Sequence, residues 1–370
     1  MTRSDRRYEF LDGMRGLAAI SVMFMHYSEN SFRLFPTATC AVDFFFILSG
    51  FVLAHSYGAR SDLTVGSFML KRVIRLYPLL FLGTLIGLPW LFWMAAPYPQ
   101  GVMKTAIAGL TNAVYLPYFG WRPPELGNLG SPEAYPINGP EWSLFFELAV
   151  NIIFLYLVRL SMKVNFWLAF GSLVFMLVLS LVMARAFGKS GVALPGGWDL
   201  MSFPVGFPRV IFGFSLGIAI YRMLDLESFR RIEPVFLQSA AGALVVSAVF
   251  VTMFTFAPGK GHAALLYLIQ IAIFCPLFVV IGAKTAPCNA GLTRIIRLLG
   301  FLSYPIYCIH IPVKNETSLL FNYFALPTEV EPFAATFLTF VIAALAGKYL
   351  DIPVRRWLTA TIRWRTVEFR

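Results

Sequence analysis

Charged residues are scarce in this chain, and their scarcity excludes most soluble folds. Only 13% of the 370 residues are Asp, Glu, Lys or Arg, whereas 58% are hydrophobic. A soluble domain carries about 25% charged residues and cannot hide so much apolar surface. The sequence therefore predicts an all-α, polytopic integral membrane protein.

Common chemical motifs are also missing. Four cysteines, Cys40, Cys275, Cys288 and Cys308, are scattered without the spacing of a metal or redox site. The chain contains no Gly-rich phosphate loop, no His/Cys metal pattern and no GxSxG elbow. We therefore predict no metal site and no permanently bound cofactor, and we interpret the cysteines as packing residues.

Acidic residues are outnumbered by basic ones, and the formal net charge is +11. In a soluble protein this charge would suggest a nucleic-acid partner. Here most Lys and Arg lie between apolar segments, where they set membrane topology and meet anionic lipid headgroups. We predict membrane lipid as a partner and no nucleic acid.

The apolar segments predict about ten transmembrane helices. They lie near residues 10–28, 40–57, 73–95, 140–158, 165–184, 208–222, 236–256, 263–283, 298–318 and 333–351. A further apolar stretch, 101–118, is ambiguous. If it does not cross, Lys and Arg concentrate on the side of a cytoplasmic N-terminus, and a crossing would remove that asymmetry. We predict that it is a re-entrant or interfacial outer segment and that both termini are cytoplasmic.

The sequence suggests one membrane domain over residues 1–370, with no internal repeat and no soluble esterase-like domain. Residues 1–9 and 352–370 are predicted cytoplasmic tails, the second basic, amphipathic and placed on the inner membrane surface. The outer connection 96–139 is long and rich in Pro, Gly and aromatic residues. Such connections are usually functional or partly structured, so this one is a candidate cover for an outward-facing site.

The first span carries a charge that its apolar surroundings do not explain. Arg15 and His26 lie in one predicted helix with ten residues between them. An arginine at membrane depth costs roughly 2.5 kcal/mol or more and usually faces a cavity, a partner or a substrate. Eleven residues are about three turns, so both side chains leave one helix face about 16 Å apart. This face is predicted to line a polar path.

The second span, in DFFFILSGFVL, offers three candidate residues with alternatives. Asp43 lies near the predicted outer end, where its carboxylate either orients His26 or reaches the membrane surface. Ser49 and Gly50 either leave room for a ligand or allow close helix packing, which is the usual role of small residues in membranes.

Arg72 and Arg75 lie three residues apart in KRVIRLYP and are predicted to share one helical face at the inner boundary. Forked guanidinium groups suit phosphate oxygens. The alternative is ordinary inner positive charge, which the sequence alone favours.

Glu147 lies two turns into the fourth predicted span, in GPEWSLFFELAV, where a carboxylate requires a reason. It either holds the tautomer of His26 and raises its basicity or forms a structural pair with Arg or Tyr. In the ninth span, His310 lies near Tyr304 and Tyr307. A lone membrane histidine is more often a packing residue than a catalyst.

Several ordered motifs together resemble the family-3 membrane acyltransferases. They are LDGMRGLAA, the Arg15–His26 spacing, VDFFFILSGF, RVIRLYP, EWSLFFE and LGFLSYPIYCIHIP. A D-x-P element, Asp351 to Pro353, follows the last span where the family usually has Glu. Each motif alone is weak, but their order over nearly the whole chain is specific.

The resemblance implies transfer of an acyl group, most often acetyl, from cytoplasmic acyl-CoA to a hydroxyl. The acceptor would be an extracytoplasmic or lipid-linked sugar, an exopolysaccharide or another glycan, and the location the bacterial cytoplasmic membrane. By the same resemblance, His26 is the catalytic base, Arg15 is essential, and Arg72 with Arg75 bind the CoA phosphates.

The predicted site combines both lines of argument. The catalytic residues are His26, Arg15, Glu147 and Asp43; the residues for acyl-CoA, the co-substrate, are Arg72, Arg75, Arg15, Ser49 and Gly50; those for the acceptor are Trp142, Ser143, Tyr304 and His310. Direct transfer and a covalent acyl-histidine relay both remain open.

A secondary transporter, for instance a proton-coupled one, is the competing hypothesis. Many spans with buried His, Glu and Arg would suit it. Transporters often show related halves, however, and we find no such relation in this sequence.

Overall fold

The computed structural model describes residues 8–28, 34–58, 60, 63–120, 132–189, 191–192, 194–232, 234–257, 262–286 and 289–368, with side chains to residue 362. Within these ranges the chain forms helices and loops, and its only β-type pairing is an isolated bridge between Glu133 and Asp199. The predicted all-α fold is confirmed.

Fourteen α-helices make up the described fold. They are α1 (Glu9–Tyr27), α2 (Ala41–Tyr57), α3 (Val65–Ala95), α4 (Gly101–Ala113), α5 (Glu141–Leu157), α6 (Met162–Ala186), α7 (Gly206–Asp225), α8 (Glu227–Arg230), α9 (Ala240–Thr252), α10 (Ala263–Ile269), α11 (Cys275–Lys284), α12 (Ala290–Tyr323), α13 (Glu331–Ala346) and α14 (Ile352–Glu368). Short 3₁₀ helices occupy Ala38–Cys40, Phe203–Val205 and Val235–Gln238, and π-helices occupy Gln270–Phe274 and Gly347–Asp351.

Seven helical stretches of the described chain are long and apolar enough to cross a membrane. They are Ala38–Tyr57, Val65–Ala95, Met162–Ala186, Phe203–Asp225, Ala263–Lys284, Ala290–Tyr323 and Glu331–Ile362. The polytopic membrane class is thereby confirmed. The large apolar side chains on α6 point outward, as lipid contact requires, and Trp167 is 65% exposed. With 13 residues, α4 is about 20 Å long and shorter than the ~30 Å hydrocarbon core, as is α9, which also has 13 residues. The non-crossing placement of 101–118 stays a prediction.

Several helix boundaries differ from the predicted spans. The third span begins at Val65, eight residues earlier than predicted, because the Thr64 side chain caps it by accepting a hydrogen bond from the Ser67 N–H at 3.2 Å. The predicted span 236–256 is interrupted at Ser239, which caps the short α9. The tail predicted to begin at 352 instead continues the last helix as α14.

Both π-helices lie directly before a proline. Gln270–Phe274 precedes Pro276, and Gly347–Asp351 precedes Pro353. Proline has no N–H to donate, and its ring crowds the carbonyl one turn earlier. A wider turn relieves this crowding while the helix continues, so each proline is held inside a spanning helix without breaking it.

Helix α3 accommodates proline in a different way, and it contains Pro78 and Pro89. After Pro89, the main-chain N–H of Trp90 donates to Oε1 of Glu316 in α12 at 2.7 Å. A side chain of one helix therefore satisfies a main-chain group at a proline of another, as membrane helices require.

The contacts divide the chain into two compact units. The first comprises residues within Met1–Asp62, Ile152–Gly197 and Met201–Tyr304, and the second residues within Leu63–Asn151, Trp198–Leu200 and Pro305–Arg370. In the first unit α1 packs against α2, α9 and α11, and α7 packs against both α2 and α6. In the second, α3 packs against α4 and α14. Helices α5 and α12 contribute residues to both units.

Glycines allow two close helix approaches inside the first unit. A Cβ on Gly16 of α1 would lie 2.3 Å from the carbonyl oxygen of Leu299 in α12. A Cβ on Gly50 of α2 would lie 2.3 Å from the carbonyl oxygen of Phe214 in α7. Only a residue without a side chain permits these backbone contacts.

We expect Gly16→Ala to destabilise the protein, because the added methyl group meets main chain that cannot move aside. Overpacking of this kind costs about 1–3 kcal/mol. Gly171→Ala in α6 is the matched control, since no atom lies within 4 Å of a Cβ there. Thermal unfolding in detergent measures the difference, and equal melting temperatures for the two variants would contradict the proposed packing.

Candidate functional site

Arg15 is held by residues of two motifs that lie far apart in sequence. Its Nε donates to Ser303 Oγ at 2.8 Å, and its Nη2 donates to the Gly300 carbonyl at 3.1 Å. Its Nη1 also lies 3.4 Å from Oδ1 of Asp12. LDGMRG of α1 and LGFLSYP of α12 therefore meet around this guanidinium, which is half-buried.

His26 lies in the last turn of the same helix and is half-buried. Because α1 is continuous from Glu9 to Tyr27, the imidazole keeps the predicted spacing of about 16 Å from Arg15 on one helix face. Ser28 fixes the helix end: its Oγ donates to the Phe24 carbonyl at 2.7 Å and accepts from the Leu34 N–H at 2.9 Å.

Asp43 has a different environment from the predicted one. Its side chain is fully buried, and Arg209 binds both carboxylate oxygens, Nε to Oδ1 at 2.8 Å and Nη2 to Oδ2 at 2.7 Å. The Tyr267 hydroxyl donates to Oδ2 at 3.0 Å. The Asp43 carboxylate is thus bonded to Arg209 and Tyr267, and its predicted orientation of His26 stays a prediction.

Arg209 is the main buried charge that the sequence-based prediction missed, although it lies inside the predicted span 208–222. It is fully buried near the start of α7 and also donates from Nη1 to the Gly196 carbonyl at 2.7 Å. Its guanidinium carbon lies 5.5 Å from the centre of the Tyr267 ring. Its position could have been recognised in the sequence, because an arginine inside a predicted span requires an acidic partner such as Asp43.

In the second unit, Glu147 forms an ion pair with Arg72. The Nη2 of Arg72 donates to Oε1 of Glu147, and the two residues are 6% and 9% exposed. The alternative of a structural Glu–Arg pair is therefore the one observed. The support of His26 by Glu147 stays a prediction.

This contact corrects the predicted depths. Arg72 was predicted at the inner boundary, and Glu147 two turns into the span 140–158, which starts at the predicted outer connection. Two side chains in contact cannot lie at both depths. The reason is the earlier start of α3 at Val65, which places Arg72 about 10 Å inside the helix and not at its end.

Arg72 and Arg75 also differ in exposure, since Arg72 is buried and Arg75 is exposed. Residues three apart are offset by about 60° around a helix, which is enough to turn one inward and the other outward. The two side chains therefore do not present one exposed face, since only Arg75 of the two is exposed. The binding of phosphate by this pair stays a prediction.

Of the two small residues in the second span, Gly50 allows close helix packing. Gly50 lies against the backbone of Phe214, so α7 occupies the space that we predicted for the donor. Ser49, its neighbour in α2, is half-buried.

Three of the four predicted acceptor residues belong to the second unit, and Tyr304 belongs to the first. Ser143 Oγ lies 2.6 Å from the Tyr307 hydroxyl, and the rings of Trp142 and Trp198 meet edge to face with centres 6.0 Å apart. A cluster of hydroxyl and indole groups thus surrounds the start of α5.

His310 is fully buried, and its Nδ1 lies 3.0 Å from the carbonyl oxygens of Ile306 and Tyr307. This is the environment of a packing histidine whose ring N–H bonds to its own helix. Cys40, Cys275 and Cys308 are buried free thiols, and Cys288 lies outside the described residues.

Comparisons with known proteins agree with these motifs. A family model described as "Acyltransferase domain" matches residues 8–350. The chain belongs to the acyltransferase-3 family. The match includes residues of both units and every predicted site residue. The chemistry of the family is acyl transfer by an integral membrane protein.

Two of the curated relatives of this acyltransferase-3 chain are named as acyltransferases. It is 29% identical over 327 residues to "Acyltransferase MdmB" of Streptomyces mycarofaciens, an alignment of 83% of this chain and 79% of the relative. It is 23% identical to "Peptidoglycan O-acetyltransferase OatA" of Listeria monocytogenes, over 96% of this chain but 57% of the relative. It is 34% identical to "Protein 2 in picA locus" of Rhizobium radiobacter, over 40% of this chain and 81% of the relative. No solved structure gives a significant match.

We expect Arg209→Met to destabilise this acyltransferase-3 protein strongly, because it leaves the Asp43 carboxylate buried without its cation. Breaking a buried pair costs about 3–5 kcal/mol. Arg231→Ala is the control, since its pair with Glu227 is exposed on both sides and is worth about 0–1 kcal/mol. Unfolding in detergent measures both variants. A loss for Arg209→Met no larger than for the control would show that the pair does not hold the first unit together.

Proposed function

We propose that this chain is a membrane O-acetyltransferase of the bacterial cytoplasmic membrane. It transfers an acetyl group from cytoplasmic acetyl-CoA to a hydroxyl of an extracytoplasmic or lipid-linked glycan. The family membership supports acyl transfer, and the printed name of one relative supports O-acetylation of a glycan.

The observation that carries the proposal is the arrangement on α1. One helix holds a guanidinium anchored to α12 and, about three turns away, a half-buried imidazole. A positioned imidazole can act as a general base toward a hydroxyl. Arg15 supplies positive charge toward the opposite end of the same face.

In the proposed reaction, His26 takes the proton of the acceptor hydroxyl as the oxygen attacks the thioester carbonyl. The C–S bond then breaks, and the imidazolium returns the proton to the departing CoA thiolate, which regenerates the neutral imidazole. The products are the acetyl ester and free CoA, with no net proton released. In the alternative relay, the imidazole is first acetylated and then attacked by the hydroxyl, and both routes require His26.

For the donor we assign Arg75 as the phosphate contact. It is exposed about 15 Å along α3, and its forked guanidinium suits phosphate oxygens. Arg72 acts instead through its pair with Glu147, whose charge it neutralises within the second unit.

Contacts inside the first unit support the proposed sidedness. Arg297 Nη2 lies 3.0 Å from Oε1 of Glu9, and the Thr37 N–H donates to the Phe254 carbonyl at 3.3 Å. An extra crossing at 101–118 would put the members of each pair on opposite membrane surfaces. Their contact therefore favours the even number of crossings on which cytoplasmic termini and an outer 96–139 connection depend.

We expect purified parent protein in detergent to consume acetyl-CoA when a glycan acceptor is supplied, and His26→Ala to lose this activity by about 10²- to 10⁴-fold, the usual effect of losing a general base. His55→Ala is the matched control, because His55 is also a half-buried histidine of the first unit. Release of free CoA by spectrophotometry gives the rate. Detergent removes any gradient, so a transporter would release no CoA.

In the cell, we expect the surface glycans of a deletion strain to lack acetyl groups, and the parent gene to restore them. Mass spectrometry of the glycans measures this difference. If His26→Ala, expressed at the parental protein level, restores the acetyl groups, His26 is not the general base. Identical glycans in deletion and parent strains would remove the proposed function.

Sidedness is testable with single cysteines in a background without the four native ones. We expect Ala96→Cys and Gly120→Cys to react with an impermeant thiol reagent in intact cells, because both flank a segment that does not cross. Arg60→Cys should react only after permeabilisation. Reaction of Gly120→Cys from the face of Arg60→Cys would show that 101–118 crosses the membrane.

A further inference from the structure

Among the buried polar atoms of the second unit that have no hydrogen-bond partner in the described part of the chain, three belong to neighbouring residues. They are the Tyr115 hydroxyl, Asn138 Oδ1 and Glu141 Oε2, on residues that are 9%, 0% and 1% exposed. Buried polar atoms are nearly always hydrogen-bonded, and one left unpaired costs about 1–3 kcal/mol. Three such atoms together indicate a group that binds there.

The three residues are neighbours in the fold. Asn138 Nδ2 donates to Glu141 Oε1 at 3.0 Å and to the Cys308 carbonyl at 2.7 Å. The hydroxyl of Thr84 donates to the same carboxyl oxygen at 3.0 Å. The Glu141 carboxyl is thus held on one oxygen by two neutral donors, while its other oxygen is unpaired.

Tyr115 belongs to the same cluster. Burial raises the pKa of Tyr115 well above its ordinary value, and the nearby Cys308 and Glu141 raise it further. The phenol therefore keeps its proton and remains a donor at physiological pH. Its φ of 68° lies in the left-handed region, because Tyr115 ends α4: the Leu116 N–H donates to the Thr111 carbonyl at 2.8 Å, as in the usual helix C-terminal motif.

The backbone of Tyr115 is also anchored, since the Tyr135 hydroxyl donates to the Tyr115 carbonyl at 3.1 Å. Tyr135 is itself buried. This bond and the end of α4 hold Tyr115 in place before any ligand binds.

The chemistry of the three atoms selects a class of ligand. The amide oxygen accepts, the phenol donates, and the carboxyl oxygen accepts when ionised or donates when protonated. An anion has no proton to donate to the amide oxygen of Asn138. The hydrogen-bond partners of Glu141 also include no cation that would balance the anion's charge. A cation would leave the phenolic hydrogen without an acceptor. A hydroxyl both donates and accepts, so adjacent hydroxyl groups satisfy all three.

We propose that Tyr115, Asn138 and Glu141 bind hydroxyl groups of the acceptor and select a neutral sugar. The inference rests on the proposed function, because it identifies the recognition site for the glycan of that reaction. The cluster lies at the start of α5 and in the connection before it, on the outer surface in the proposed topology.

The test is Tyr115→Phe, which removes one oxygen atom. Deleting a buried hydroxyl that has no protein partner does not destabilise the unliganded protein, so lower activity cannot be ascribed to unfolding. In a complemented deletion strain, we expect acetylation of the strain's own surface glycans to fall about tenfold. The melting temperature in detergent and the binding of acetyl-CoA should stay at parental values.

Thr105→Val is the matched control. Thr105 is 1% exposed, belongs to the second unit, and its Oγ1 is also unpaired among the described residues. Its loss should leave acetylation unchanged. Glu141→Gln is the second variant, with the volume kept and the carboxyl chemistry removed, and it should lower acetylation without lowering acetyl-CoA binding.

The outcomes separate the two proposals. If the parent gene restores no acetyl groups to the deletion strain, the proposed function fails. If the parent restores them and Tyr115→Phe does so equally, the cluster holds only water and this inference is overturned. An equal fall in Tyr115→Phe and Thr105→Val would overturn it as well, because the effect would then not belong to the cluster.

Discussion

The close approach of α1 to α12 determines where the guanidinium of Arg15 lies. Gly16 has no side chain, so the backbone of α1 reaches that of Leu299. At this distance Arg15 reaches the Gly300 carbonyl and the Ser303 hydroxyl without extending toward the membrane surface. The orientation of α1 about its own axis follows from these bonds, and with it the direction in which His26 leaves the helix three turns later.

The remaining buried charges show how the protein separates stability from chemistry. Asp43 and Arg209 neutralise one another inside the first unit, and Arg72 and Glu147 do so inside the second. A charge paired in this way is costly to disturb and is a poor candidate for a group that must meet a substrate. Arg75 is exposed, and Arg15 and His26 are half-buried, which leaves the chemistry on residues that a ligand can reach.

The sequence predicted what depends on composition and local pattern, and missed what depends on partners. Apolar length predicted the all-α membrane class, and the Arg15–His26 spacing survives because it is a property of one helix. The partner of Asp43 was missed, since Arg209 lies far away in sequence and belongs to another span. The depth of Arg72 was wrong because the Thr64 cap extends α3 into a segment of mixed polarity, which a hydropathy window ends too early.

The π-helix at Gly347–Asp351 has a consequence for the basic end of the chain. A π turn holds one residue more than a regular turn, so it acts as a one-residue insertion that rotates all later side chains by about 100°. The rotation of α14 about its own axis therefore depends on the π turn before Pro353. This rotation determines which face of α14 packs against α3 and on which side Arg356 lies. A related chain without that proline could keep every basic residue of the helix and still display them toward a different side of the protein.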